Sequence, residues 1–393
     1  MPRFRFVIVD VSQLSEIKAR AIARAAELGA TGARVASARR DSLTEMRMRS
    51  AFSRGDLITW RYDDDYAARS ADPQTLLPDA KAVLCVAVPY ATTSSQLRAS
   101  SGQVSNYAWS LDYHLRMREL LNEIARVIDD IAGERVTAIA CDTKPIAERA
   151  FAQAAGVGWI GKHTNLISPQ HGSFIFLGEI VTKLALPADE PLRKTCGNCS
   201  RCVDVCPTGA LRGDYTIDAG KCISDLTQRT DGIPRALRPL MGTWVWGCDL
   251  CQLVCPPTKR RSPNAGPSFA PLTRDVAAPE LVELLHLRSN TYKRKYQATG
   301  MGWRGAAVLR RNAAVALGNG LDRATVPALE RALQGDRHPM VRGHVAWALG
   351  RIASGAALRA LQARRSIEQN ATVLEEIAAA FETIRPGCPL RRV

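Results

Sequence analysis

Eight of the eleven cysteines stand in two blocks whose spacing belongs to electron-transfer chemistry. Cys196, Cys199, Cys202 and Cys206 precede Pro207 as a C-x2-C-x2-C-x3-C-P run, and Cys222 is followed by Cys248, Cys251 and Cys255, with Pro256 behind them. In such runs three thiolates wrap one 4Fe-4S cluster, while the fourth, set back and followed by proline, reaches the other cluster. Cys196, Cys199, Cys202 and Cys255 are therefore assigned to one cluster, and Cys206, Cys222, Cys248 and Cys251 to its partner. Two other uses of cysteine fit less well. Structural zinc takes paired C-x2-4-C knuckles rather than a triplet with a trailing Cys-Pro. Disulfide frameworks belong to small secreted domains, and this chain has 393 residues.

Asp142 is a second candidate. It follows a β-rich run, Val136 to Cys141, and precedes a predicted helix with Pro145 in its first turn. Ligands of open α/β sheets bind beyond the carboxyl ends of strands, which is where this carboxylate falls. A helix N-cap is the alternative, and Asp142 or Thr143 would serve. Next comes Gly156-Val157-Gly158-Trp159-Ile160-Gly161-Lys162-His163-Thr164-Asn165. Its glycines would let backbone approach a flat ligand, or would only supply a loop with positive φ. The spacing matches neither a Walker loop nor the dinucleotide fingerprint, so no nicotinamide site is expected.

The elements that must position these groups fall into three segments. In residues 1–190, helix-like stretches (Leu14 to Leu28, Tyr107 to Ile131, Pro145 to Ala155) alternate with strand-like runs (Ala82 to Val88, Val136 to Cys141, Ser173 to Val181), the pattern of an α/β domain. Residues 191–265 hold the cysteines as a bacterial ferredoxin-like insert. A Pro/Gly/Ser-rich linker, Ser262 to Pro271, leads into a helical tail, residues 266–393. There Ala316-Leu317-Gly318-Asn319 recurs as Ala348-Leu349-Gly350-Arg351; helix pairs at a period near 31 or 32 residues resemble a short HEAT-like solenoid, although the usual HEAT period is about 40–47 residues. Two repeats are fewer than a free-standing array needs, so the tail is expected to pack on its neighbour through an apolar face including Val315, Leu317, Val345 and Leu349.

Charge is uneven. Residues 257–393 carry 22 Lys and Arg against 10 Asp and Glu, while residues 1–256 carry 31 against 28, so +12 of the formal net charge of +15 lies in the tail. A polyanion is the natural partner, a generic basic surface the alternative. Asp10 ends the apolar run of the first residues before it forms a signal-peptide core, and Arg39-Arg40 has no apolar stretch behind it. No apolar run is long enough to span a bilayer, so no membrane partner is expected. A reducing cytoplasm is the expected location.

Taken together, Asp142-Thr-Lys-Pro-Ile-Ala-Glu-Arg149, Ala155-Gly-Val-Gly-Trp-Ile-Gly-Lys162, Thr164-Asn-Leu-Ile-Ser168, Phe176-Leu-Gly-Glu-Ile180, Cys222-Ile-Ser224, Gly247-Cys-Asp-Leu-Cys-Gln-Leu-Val-Cys-Pro256 and Arg311-Asn-Ala-Ala-Val-Ala-Leu-Gly-Asn319 resemble the epoxyqueuosine reductases. The resemblance covers roughly residues 45–355. It implies a cobalamin-dependent iron-sulfur oxidoreductase that finishes queuosine on tRNA. Two clusters, fed by an external low-potential electron donor, would serve a base-off cobalamin in the α/β domain. Asp142 would protonate the departing epoxide oxygen, and burial against the corrin would raise its pKa for that task.

By the same resemblance, cobalamin would be held by Asp142, Trp159, Lys162, Thr164, Leu166, Ser224, Cys248 and Asp249. Asp112-Tyr113-His114 begins a cobalt-histidine signature, but Met117 stands where Gly is needed, so His114 reads as an ordinary helix residue. The tRNA, with its modified anticodon-loop base, would meet Lys293, Arg294, Lys295, Arg304, Arg310 and Arg311, with Tyr292, Tyr296 and Trp303 interleaved for stacking. The aromatics could instead be core residues and the cations solvent-facing.

His163, Asp225 and Gln228 depart from the family's usual residues and bear on the substrate pocket. A corrinoid iron-sulfur dehalogenase and a plain electron carrier are the rival functions. The former is typically exported, and the latter leaves the first 190 residues without a purpose. Cys85 and Cys141 read as buried packing residues and Cys388 as an exposed one.

Overall fold

The computed structural model describes residues 11–92, 100–260 and 267–384; Cys388 and most of the linker lie outside them. The N-terminal segment contains strands β1 (Gly32–Ser37), β2 (Ala82–Pro89), β3 (Gln103–Val104), β4 (Thr137–Ala140), β5 (Trp159–Ile160), β6 (Leu166–Ile167) and β7 (Ile175–Thr182). Its helices are α1 (Val11–Glu27), α2 (Ser42–Ser53), α3 (Asp64–Ser70), α4 (Tyr113–Ala132) and α5 (Glu148–Ala154). The main sheet runs β1-β2-β7-β4, and each neighbouring pair is antiparallel.

Both faces of that sheet are covered. Leu84, Val86 and Ile180 meet Ile17 of α1 and Met117, Leu121 and Ile124 of α4 on one side. Val83, Cys85 and Val181 meet Phe151 and Ala152 of α5 on the other. This double burial explains why β2 reads as an unbroken apolar run rather than an alternating one. It also explains why such a run does not reveal strand direction, a reading that parallel sheets usually supply.

The cysteine segment is mostly short helices, each started by a cysteine-bearing turn: α6 (Arg201–Asp204), α7 (Ile223–Gln228), α8 (Leu250–Leu253) and α9 (Pro256–Lys259), with strand β8 (Trp244–Trp246). Cys222 and Cys255 are the N-cap residues of α7 and α9. β8 pairs in parallel with β3. Residues 100–112 therefore leave the N-terminal layer as a strap. Gly102 donates to the Pro279 carbonyl at 2.8 Å, and Asp112 to that of Ala298 at 2.8 Å. Phe269 packs back into the first core, with its ring 4.9 Å from that of Phe176.

After α10 (Arg274–Ala277), α11 (Leu281–Leu285) and α12 (Ser289–Lys295), the tail is a stack of α13 (Ala306–Gly320), α14 (Val326–Gly335), α15 (Pro339–Ile352), α16 (Gly355–Arg365) and α17 (Ala371–Ile384). The repeated Ala-Leu-Gly has a steric cause. A Cβ on Gly318 would lie 2.9 Å from the Ala348 Cα, and one on Gly350 would lie 2.8 Å from the Ala380 Cα. Glycine at the same place in each repeat lets successive helices close together.

The expected face does pack on its neighbour. Val315 meets Ile223, Leu226, Met241 and Trp244 of the cysteine segment, and Leu317, Val345 and Leu349 belong to a core that the tail shares with Val104, Ala108, Val245 and Trp246 of the preceding segments. Beside Val315, Arg311 is 0 % exposed. Its guanidinium donates to the carbonyls of Leu226 (2.9 Å), Thr227 (3.3 Å), Arg229 (2.9 Å) and Asp231 (2.7 Å), and Asn312 donates to those of Thr227 (2.7 Å) and Val245 (2.8 Å). These include the carbonyls left unpaired at the end of α7. Arg311 is thus a buried bolt between tail and cluster segment, and the expectation that it meets tRNA phosphates is overturned.

Arg311→Met keeps the volume but leaves those carbonyls without a donor. It should lower stability by about 3–5 kcal/mol in chemical denaturation, since orphaned buried acceptors carry their full desolvation cost. An unchanged midpoint would contradict the bolt.

Candidate active site

Asp142 follows β4 with φ of 55°, in the left-handed region that non-glycine residues rarely occupy. The N-cap alternative does not hold. α5 begins only at Glu148, and the residue before it, Ala147, caps nothing with its side chain. Pro145 accounts for the delay, because a residue preceding proline is steered away from helical backbone. The Asp142 side chain is instead 62 % exposed. Its carboxylate accepts from the Tyr113 hydroxyl at 3.0 Å and lies 3.2 Å from His114 Nε2. Its backbone N–H donates to Glu148.

His114 is the residue the sequence reading set aside. Its Nδ1 lies 2.6 Å from Asp112, so the ring is held between two carboxylates. Burial opposes its charge, but the hydrogen bonds to Asp112 and Asp142 outweigh that and push its pKa up to about 9. Asp142 moves the opposite way to the expectation: the His114 hydrogen bond holds it below the usual carboxylate range against the effect of burial, with Tyr113 assisting. At neutral pH the proton of this pair resides on the imidazole. Tyr113 is fixed by stacking flat on Phe176, centroids 4.2 Å apart, and edge-on to Tyr107. The only trace in the sequence was a polar triplet at a helix start, where Asp112 also caps α4 by accepting from the His114 N–H.

The eight cysteines fall into two neighbourhoods. Cys255 feels the charges of Cys196, Cys199 and Cys202, and shares an apolar pocket with Cys196, Trp159 and Ile167. Cys248 feels Cys222 and Cys206, and Cys251 feels Cys222 and Cys248 most, with a smaller effect from Cys202 of the other set. Burial pushes up the thiols of Cys202, Cys248, Cys251 and Cys255, and that of Cys222 to about 11, as expected for sulfurs that ionise only against metal. Backbone N–H groups already point at several of them: Ser224 and Asp225 at Cys222, Leu250 at Cys248 and Thr258 at Cys255. Thiolate sets with N–H donors suit iron-sulfur ligation.

The residues expected around a corrinoid are placed unequally. Lys162, Thr164 and Ser224 are half-buried. Leu166 is 2 % exposed and packs in the core, so it offers only main chain. Asp249 is buried too, accepting from Ser105 Oγ (2.6 Å), Asn106 N (2.8 Å) and Gln252 Nε2 (3.2 Å). Trp159 is largely buried, with its indole N–H unpaired. The glycines do not open space for a ligand. A Cβ on Gly158 would strike the Ile167 carbonyl at 2.4 Å and one on Gly161 the Ile167 side chain at 2.6 Å, so they serve the tight β5–β6 pairing.

Polar groups and aromatic rings are linked to one another in the segments that flank Asp142. Arg149 donates to the Thr164 carbonyl at 2.8 Å on one side. On another, Gln228 bonds Ser224 Oγ (3.1 Å) and receives the Tyr107 hydroxyl (3.3 Å). An exposed acid flanked by aromatic rings and polar rim groups suits a large flat ligand with polar edges. His163 is buried, with Nδ1 accepting from Asn165 N, and burial lowers its pKa to about 4, so it stays neutral. Asp225 is buried as well, accepting from Thr59 Oγ1 at 3.1 Å.

Of the basic stretch, Lys293 and Arg294 face solvent, while Lys295 pairs with Asp275 at 3.0 Å. Arg310 is committed to Asp336 at 2.7 Å and to the Leu287 carbonyl. Tyr292 and Tyr296 are buried core residues, as the plainer alternative held. Trp303 is 51 % exposed, stacked on Trp60 with centroids 5.7 Å apart, and the Arg304 guanidinium lies 3.7 Å over its ring. Among the described residues, no helix is long and apolar enough to cross a membrane.

Comparison with known proteins agrees with this layout. Residues 70–143 match the family described as "Epoxyqueuosine reductase QueG, DUF1730", residues 195–258 a 4Fe-4S double cluster binding domain, and residues 304–382 HEAT repeats. The chain is 38% identical over 286 residues to the epoxyqueuosine reductase of Escherichia coli K12, covering 71% of this chain and 75% of that one. With the Bacillus cereus epoxyqueuosine reductase it shares 33% over 329 residues, 82% and 86% of the two chains. A crystal structure of epoxyqueuosine reductase with an epoxyqueuosine-modified tRNA-Tyr stem loop superposes with a TM-score of 0.88 at 29% identity, over 94% of this chain and 99% of that one. Three-part architecture, cysteine-bearing segment and likeness over most of the length converge: the chain belongs to the epoxyqueuosine reductases, a family of oxidoreductases.

Proposed function

We propose that the protein reduces the epoxide of epoxyqueuosine in tRNA, with Asp142 delivering the proton to the departing oxygen and His114 storing it. The observation that carries this reading is the Asp142 carboxylate, exposed yet hydrogen-bonded to a histidine whose pKa is about 9. Converting an epoxide to an alkene and water consumes two electrons and two protons. Bound clusters and a corrinoid would supply the electron path, the cysteines named above holding the former and Lys162, Thr164 and Ser224 lining the latter.

The chain's own residues manage the proton. A bare alkoxide is a poor leaving group, so a positioned acid lowers the barrier. Asp142 is exposed, and a substrate that covers it and excludes water favours its neutral, protonated form, drawing the proton across from His114 Nε2. Asp112 holds Nδ1 and keeps the ring oriented. Tyr113 donates to Oδ2 of Asp142, the same oxygen that faces His114 Nε2. For the nucleic acid, the exposed Lys293 and Arg294 would meet phosphates, and the Trp303–Arg304 stack offers a platform for an unstacked base.

Three measurements test this reading. In protein loaded anaerobically with both clusters and cobalamin, Asp142→Asn should retain fold and cofactors and lose product formation by roughly 10²–10⁴-fold; near-normal turnover would remove Asp142 from the reaction. Turnover should hold through neutral pH and fall as pH rises through about 9, where His114 loses the stored proton. Asp112→Asn, which withdraws one of the two carboxylates favouring the imidazolium, should move that alkaline limb to lower pH; an unmoved limb would assign it to another group. Finally, Cys255→Ser should damage the cluster held by Cys196, Cys199 and Cys202. Loss of the cluster held by Cys248 and Cys251 instead, seen by electron paramagnetic resonance, would refute the crossed ligation.

A further inference from the structure

Behind Asp142 lies a carboxyl group that the reaction scheme does not use. Glu179 stands in β7 opposite Cys85 of β2 and Ala140 of β4, so the pleat turns its side chain toward the face covered by α5. It is 0 % exposed, and among the described residues no donor reaches either carboxyl oxygen. An ionised carboxylate without a donor in such a core would cost many kcal/mol, so the group persists as the neutral acid.

It faces the Glu148 carboxyl, in the first turn of α5. Glu148 in turn accepts the backbone N–H of Asp142, the residue whose φ is 55°. The other titratable groups acting on the pair are Cys85, Cys141, Tyr113, Asp142 and Arg149. Arg149, the cation among them, is exposed and directs its guanidinium to the Thr164 carbonyl. No neighbouring cation therefore replaces the proton. Burial pushes Glu148 up to about 7, and burial together with repulsion from Glu148 pushes Glu179 well above the usual carboxylate range.

We propose that Glu179 is a protonated carboxylic acid that donates its O–H to the Glu148 carboxylate, and that the pair is a positioning latch for Asp142. The proton fixes the direction of the Glu148 carboxylate, Glu148 holds the Asp142 main chain in its strained turn, and the turn sets where the Asp142 carboxylate projects. This inference rests on the reading of Asp142 as proton donor. Neither glutamate touches substrate; both act through Asp142.

The test uses the reconstituted holoenzyme and epoxyqueuosine-bearing tRNA. Glu179→Ala should lower kcat by up to about 10²-fold, the cost of a misplaced reacting group, with KM for tRNA, iron content and bound cobalamin unchanged. Glu179→Gln, whose amide donates a hydrogen as the neutral acid does, should recover most of that loss. A glutamine variant as slow as the alanine variant, or an alanine variant as fast as the parent, would overturn the latch. Infrared spectroscopy gives a second readout that needs no turnover. The parent should show a protonated carboxyl band at neutral pH that Glu179→Gln removes, and a parent without that band would overturn the proposal. Failure of the parent to reduce the epoxide would refute the proposed reaction instead, while the band still decides the protonation of Glu179.

Discussion

The buried carboxylate of Asp249 ties the two halves of the chemistry together. It lies between Cys248 and Cys251, and it accepts from Ser105 and Asn106 on the strap that continues to Asp112, Tyr113 and His114. Asp249 and the β3–β8 pairing thus set the cysteine loop and the start of α4 against each other. Asp249 is one of several such stitches: across the same two segments Arg212 pairs with Asp56 at 2.6 Å and the Thr59 hydroxyl donates to Asp225 at 3.1 Å. A carboxylate satisfied by three donors is stable when buried, which is why this residue can serve as a joint rather than a ligand contact.

From that joint the arrangement follows in both directions. On one side, Trp246 donates to the Tyr107 hydroxyl at 2.9 Å, Tyr107 meets Tyr113 edge-on, and Tyr113 reaches Asp142. Rigid aromatic contacts therefore run from the strand before Cys248 to the acid. On the other side, Arg311 and Asn312 pin the tail to the end of α7, the helix that Cys222 starts. The HEAT-like tail is not an appendage; its first helix supplies donors that the cluster segment lacks.

What the sequence made legible follows from the strength of each local constraint. The cysteine blocks were readable because cluster ligation dictates spacing along the chain, and Asp142 because it closes a strand. β2, β7 and α4 were readable as apolar runs or a helical period. The His114–Asp142 contact was not, since it joins residues 28 apart in the chain through the approach of a helix start to a strand end. Arg311 looked like surface charge in an Arg-Arg-Asn run, and only the carbonyls it meets some 80 residues away reveal it as core. The glycines of residues 156–161 signalled close approach correctly, but to the protein itself.

The central claim is that the proton for the reaction is stored on His114 under the joint hold of Asp112 and Asp142. Nitrogen-15 NMR of a holoenzyme labelled at histidine, with His114 assigned by its loss in His114→Asn, tests that directly. The account predicts that both ring nitrogens are protonated at neutral pH and that the signal titrates near 9. A neutral imidazole at that pH, titrating near the ordinary histidine value of about 6.5, would contradict it.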